Sequence, residues 1–126
     1  MISHLTLGTN DLEIAVQYYD QILNLIGAKQ VAKTDEVTFY QFPDSPTKLA
    51  ISKPHDGNVA TFGNGTMLAL KVDNEQLVRD IYQLAIDLDS KCEGQPGPRN
   101  DGAYFAAYFR DLDGNKIAVF YREDGK

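Results

Sequence analysis

The chain carries two copies of one short pattern, and that repetition constrains the fold more than any other feature. Lys48-Leu49-Ala50-Ile51 returns as Lys116-Ile117-Ala118-Val119. His4-Leu5-Thr6-Leu7 returns as Met67-Leu68-Ala69-Leu70, each followed by a polar turn and a helical pattern. A shift of 63 residues carries His4 onto Met67 and Tyr19 onto Tyr82, while a shift of 68 carries Lys48 onto Lys116. The second copy therefore holds about five inserted residues, assigned to the Pro- and Gly-rich stretch 93–102. A chain of 126 residues is one domain's worth, here a single domain of two repeats, about 1–53 and 65–126.

Periodicity gives each copy the order βαβββ. Residues 2–9 alternate as a strand. Asn10 or Asp11 can cap the helix that follows, which runs to about Ile26 with Ala15, Tyr19, Ile22 and Ile26 on one stripe and Gly27 at its end. Short strands are expected around 30–33, 37–42 and 48–52. Residues 53–65, with Pro54, Gly57, Gly63 and Gly65, read as the linker. Residues 66–72 read as the next strand. Asp73 is expected to cap the second helix in a capping box with Gln76. Strands over 103–110 and 116–122 follow, joined by the turn Asp111-Leu112-Asp113-Gly114-Asn115, whose residues supply side-chain capping and positive φ. A four-stranded sheet with one helix covers only one of its faces. The two open faces are therefore expected to form a cleft, with His4, Ala50, Met67 and Ala118 on it.

Net charge is −6. That argues against nucleic acid, which needs a basic face, and would suit a cationic ligand. One cysteine, Cys92, permits no internal disulfide and fits a reducing compartment. No histidine lies near it in sequence, so it reads as an incidental thiol. No signal-peptide pattern or 18-residue apolar run is visible, so a cytoplasmic protein without membrane contact is expected. Gly63-Asn64-Gly65 precedes a strand, not a helix, and is no phosphate loop.

The doubled βαβββ order, His4 on the first strand, Asn10-Asp11-Leu12 before Tyr18-Tyr19, and Asp111-Leu112-Asp113-Gly114-Asn115-Lys116-Ile117 near the end resemble the vicinal oxygen chelate superfamily. This is the glyoxalase, bleomycin-resistance and extradiol-dioxygenase group, which usually has Pro at the place of Leu112. The resemblance implies an α+β, glyoxalase-like open barrel with a central cleft, and a homodimer. Metal-dependent members resembled here take one ligand from the first and one from the last strand of each half. Those positions carry His4, Ala50, Met67 and Ala118. Alanine offers no donor and a thioether is a poor one for zinc, nickel or iron. No metal cofactor is therefore expected at that site. Glyoxalase or dioxygenase chemistry there would lack its main electrostatic support.

The remaining candidates point to a bound small organic molecule. The shift of 68 pairs Tyr40 with Tyr108. Alternation then puts Thr38, Tyr40 and Phe42 on one face and Tyr104, Ala106 and Tyr108 on its counterpart. Val37 and Phe39, and Phe105, Ala107 and Phe109, are left to pack on the helices. Tyr40, Tyr104, Tyr108, Met67 and Phe120 would line the cleft, with Ala50 and Ala118 leaving room. Arg99, in the inserted loop, could clamp a carboxylate. Arg110 is expected to pair with Asp111 or Asp113, and His55 to be a linker residue. His4 is either a hydrogen-bonded histidine on the cleft or a catalytic base. The first reading is a binding protein like the resembled drug-resistance members. The second is a glyoxalase-type lyase or isomerase using His4 with an atypical metal or none. The third is an interaction module without a ligand.

Overall fold

The computed structural model of the chain describes residues 1–123. The chain divides into two compact units, Met1–Phe62 and a second beginning at Gly63. Each is α+β, a four-stranded sheet with one helix, in the order βαβββ. Among the described residues no helix is long and apolar enough to cross a membrane.

The first unit contains β1 (His4–Gly8), α1 (Leu12–Asn24), β2 (Lys29–Lys33), β3 (Val37–Gln41) and β4 (Lys48–Ser52). The sheet order is β1-β4-β3-β2, with β1 parallel to β4 and the other pairs antiparallel. Asp11 caps α1, its carboxylate accepting from the Ile14 amide at 3.1 Å. This satisfies an amide that the first turn leaves without a helical partner. Ala15, Tyr18, Tyr19, Ile22 and Leu23 form the buried stripe. They meet Leu7, Tyr40, Leu49 and Ile51, all almost fully buried. The chain leaves the helix through Gly27 at φ +78°, where a side chain would be strained.

The second unit contains β5 (Leu68–Lys71), α2 (Glu75–Asp87), β6 (Lys91–Arg99), β7 (Tyr104–Arg110) and β8 (Lys116–Tyr121), in sheet order β5-β8-β7-β6. Both helices have 13 residues and sit 63 apart at each end. Asn74, not Asp73, caps α2, accepting from the Leu77 amide at 2.8 Å. The expected box with Gln76 is replaced by a bond from Gln76 to Asp80 one turn on. Val78, Ile81 and Ala85 are fully buried against Phe109, Ile117 and Val119.

Two departures from the expected pattern decide what each sheet presents. The stretch assigned to a loop is mostly strand: β6 runs nine residues through Pro96 and Pro98 to Arg99. Prolines are tolerated because β6 pairs only with β7, so amides on its outer side have no ladder partner to lose. The insertion thus lengthens a hairpin, closed by a turn in which Asn100, Asp101 and Gly102 all have positive φ. The second departure is one residue long. Six residues, 42–47, join β3 to β4, whereas five, 111–115, join β7 to β8. Gln41 pairs with Lys48 as Arg110 pairs with Lys116. The structural counterpart of Tyr40 is therefore Phe109, and that of Tyr108 is Phe39.

Candidate functional site

Phe105 on β7 lies under Arg79 of α2, whose guanidinium carbon is 4.8 Å from the ring centroid. Alternation places Tyr104, Ala106, Tyr108 and Arg110 on the face away from α2. Register then adds Lys116, Ala118 and Phe120 from β8, and Ala69 and Lys71 from β5, and Arg122 follows just past the end of β8. Tyr104 meets Phe120 edge to face at 6.2 Å. The Tyr108 phenol is held above its ordinary pKa, first by its hydrogen bond with Tyr104, then by burial and the repulsive neighbouring phenol; Arg99 pulls the other way. Both tyrosines and Phe120 are half-buried, leaving ring surface to meet a ligand.

Cations stand over these rings. The Arg99 guanidinium and the Lys116 ammonium each lie 5.5 Å from the Tyr108 centroid. Arg122 lies 5.6 Å from Tyr104 and 6.0 Å from Phe120. These distances fall within the range where ring quadrupoles attract cations. Arg99 is fixed by donating to the Gln95 carbonyl at 2.7 Å and the Pro98 carbonyl at 3.2 Å. Two glycines make its seat. A Cβ at Gly94 would come 2.9 Å from Tyr108 Cδ2 and 3.2 Å from Arg99 Nη2, and one at Gly97 would come 3.1 Å from Arg99 Nη1. Gly94, Gly97, Lys116 and Arg122 had not been singled out in the sequence. Glycines inside a strand were the available signal for a close approach. Arg110 pairs with Glu93 at 3.0 Å and donates to the Gly114 carbonyl at 3.0 Å. Asp111 is the centre of the turn, accepting from the Asp113 and Asn115 amides and from the Asn115 side chain, each at 2.9 Å.

The first sheet presents a different open face. Tyr40 is not on it. Its hydroxyl donates to Asp20 on α1 at 2.8 Å and its ring is almost fully buried on the helix side. Burial, helped by the Asp20 carboxylate, pushes the phenol pKa far up. The open face carries His4, Thr6, Phe39, Ala50 and Ser52 by register. The exposed His4 ring meets Phe39 edge-on at 5.4 Å, and its Nδ1 lies 3.1 Å from the Ser3 hydroxyl. Beside this face, residues 53–61 fold back over the end of β1. Asn10 clamps Ala60 through both its amide atoms, at 2.7 and 3.3 Å. The groove so formed holds about 700 Å³ and is walled by Thr6, Gly8, Ser52 and the segment around His55, with no Phe or Tyr among the residues that line it.

The superfamily model described as Glyoxalase/Bleomycin resistance protein/Dioxygenase matches residues 1–119. The chain belongs to this superfamily. Among solved structures, a glyoxalase/bleomycin resistance protein from Albidiferax ferrireducens T118 is 34% identical, covering 98% of this chain and 99% of its own, with a TM-score of 0.86. A glyoxalase-related enzyme from Fulvimarina pelagi is 21% identical over 97% of this chain and 88% of its own, TM-score 0.78. A lactoylglutathione lyase from Agrobacterium tumefaciens is 18% identical over 96% and 92%, TM-score 0.68. The last two share the fold. Among curated proteins none matches the chain.

The resemblance puts the superfamily's metal positions at four sites. In the first unit it puts them at His4 and Ala50, and Ala50 pairs across the sheet with Thr6. In the second it puts them at Met67, 47% exposed just ahead of β5, and Ala118, which pairs with Ala69. Methyl groups supply no lone pair, and a thioether is a soft ligand unsuited to zinc, nickel or iron. Among the described residues no group of three or more His, Cys, Asp or Glu side chains is arranged to hold a metal ion. The donor set does not fit the ion.

Proposed function

We propose that this superfamily member binds a small organic molecule on the aromatic face of its second sheet, without a divalent ion at the position metal-dependent relatives use. The observation that carries the reading is the half-buried group Tyr104, Tyr108 and Phe120, arranged around the small side chains of Ala106 and Ala118. Rings give a flat apolar wall with polar tips, and the alanines keep the floor low enough to admit a ligand. Arg99 stands at the edge of that wall. Met67 belongs to it by alternation from Ala69. Tyr40 does not, because it is spent on the α1 contact. His4 carries no step in this reading. The resemblance adds a homodimer to the proposal, and the lone Cys92 a reducing, cytoplasmic compartment.

The test is elemental analysis of protein purified without a metal-affinity tag, together with thermal shifts. Nickel, zinc, manganese and iron(II) are expected to be absent in stoichiometric amount and to leave the melting temperature unchanged. Flat organic molecules are expected to raise it saturably, as any ligand selective for the native state must. One equivalent of metal per chain with a large stabilisation would overturn the reading.

A further inference from the structure

The aromatic face has a charge that the chain as a whole lacks. Net charge is −6, yet six of the twelve Lys and Arg residues gather on this one sheet face: Lys71, Lys91, Arg99, Arg110, Lys116 and Arg122. A carboxylate joins them, Glu93, and it is bonded to Arg110. Among the described residues, neither Arg99 nor Lys116 has a carboxylate within ion-pair distance. Both cations are instead held over the Tyr108 ring, and Arg99 is anchored by carbonyls and seated on two glycines.

We infer that the ligand of this face is a flat organic anion: a ring bearing one carboxylate, sulfonate or phosphate group, its ring against Tyr104, Tyr108 and Phe120 and its anion between Arg99 and Lys116. The inference rests on the function proposed above and narrows it. Cations pressed on rings have lost part of their water, so their attraction for an anion exceeds that of a solvated surface lysine. The guanidinium also offers donors in a plane, suited to a planar anionic group. A cationic ligand, which the overall charge would suggest, meets repulsion from both residues here.

A matched pair of dyes tests this. Anilinonaphthalene sulfonate carries the rings and an anion, and phenylnaphthylamine carries the same rings without the charge. Fluorescence titration of the full chain is expected to show saturable binding of the sulfonate at one site, about tenfold or more tighter than the neutral dye. One charge-assisted contact is sufficient for that ratio. Arg99→Gln is expected to weaken the sulfonate about tenfold and leave the neutral dye unchanged. Lys116→Gln should act in the same direction and guards against a local rearrangement of the Arg99 loop. Tyr108→Leu should weaken both dyes, and Lys33→Gln, on the exposed strand β2, neither. Equal binding of the two dyes, lost in Tyr108→Leu but untouched by either cation variant, would overturn the anion inference and leave the aromatic site standing. Binding untouched by all three variants, or no binding, would overturn the site as well.

Discussion

The two halves share a helix to the residue and differ in almost everything the sheets present. Both helices have 13 residues and an Asx cap, and they bury equivalent stripes. After the helices the halves part. The first half has a short hairpin of five-residue strands, and its tyrosine is turned inward onto Asp20. The second has a nine- and a seven-residue strand, and its tyrosines are turned outward under cations. A pleated strand presents alternate residues to opposite faces, so which positions carry tyrosine decides what each sheet displays. Because the turns differ by one residue, Tyr40 matches Phe109 on the helix side and Tyr108 matches Phe39 on the open side, so the first hairpin's tyrosine is buried and the second's are displayed.

Truncating the two tyrosines should give the largest contrast. Tyr40→Ala removes a fully buried ring and leaves Asp20 without its phenol partner. A loss of about 3–5 kcal/mol is expected from urea unfolding. Tyr108→Ala, on the half-buried face, should cost about 1 kcal/mol or less while abolishing dye binding. Equal losses would break the assignment of the two residues to opposite faces.

The turns come next. Asp111 is 5% exposed and accepts three hydrogen bonds. Asp111→Ala would leave buried donors unmet, at about 1–3 kcal/mol. Hydrogen exchange should quicken at the β7–β8 amides and stay unchanged at β3–β4, whose six-residue turn is held differently, by Gln41 donating to the Phe42 and Ser45 carbonyls. Acceleration in both hairpins would contradict separate local closure.

A smaller effect is expected where the strands face their aromatic partners. Gly94 sits opposite Tyr108 as Ala32 sits opposite Phe39. Gly94→Ala drives a methyl into Tyr108 Cδ2 and Arg99 Nη2, and overpacking of this kind costs about 1–3 kcal/mol where the neighbours are fixed. The half-buried Tyr108 ring has room to turn and Arg99 would be pushed off its carbonyls, so the low end is expected, with sulfonate binding lost. Ala32→Gly should leave dye binding as it is. Unchanged binding in Gly94→Ala would show that the seat does not position Arg99.

These contrasts also explain what could be read from sequence. The helices were legible because apolar spacing and caps are local, and the shift of 63 lies within one uninterrupted stretch. The family and the βαβββ order were legible for the same reason. Sequence alone places Tyr40 on the wrong face, because Ala50 and Ala118 fix the shift for the last strands only and the unequal turn before them alters it by one. β6 was hidden by composition: Pro and Gly spell a loop unless the strand is known to be at an edge. The seat of Arg99 joins residues five apart on a twice-bulged strand, and no simple period reaches it.

The smallest effect concerns how each hairpin end is tied to its turn. Gln41 does this in the first half with a neutral amide. At the equivalent place Arg110 does it with a charge, bonding both the Gly114 carbonyl and Glu93. The Arg110 bond, against a smaller opposing effect of burial, holds the Glu93 carboxyl below its ordinary pKa, with Lys91 and Lys116 adding to it. A depressed carboxyl contributes stability above its unfolded pKa and loses it as the pH falls through the folded one. Glu93→Gln should therefore lower the urea midpoint slightly near about pH 7, and the gap to the parent protein should close through the acid range below the ordinary glutamate value. Because Glu93 is exposed, added salt should narrow the gap too. A gap that neither acid nor salt alters would mean that Glu93 acts by shape alone. The second hairpin would then be tied as the first is, without charge.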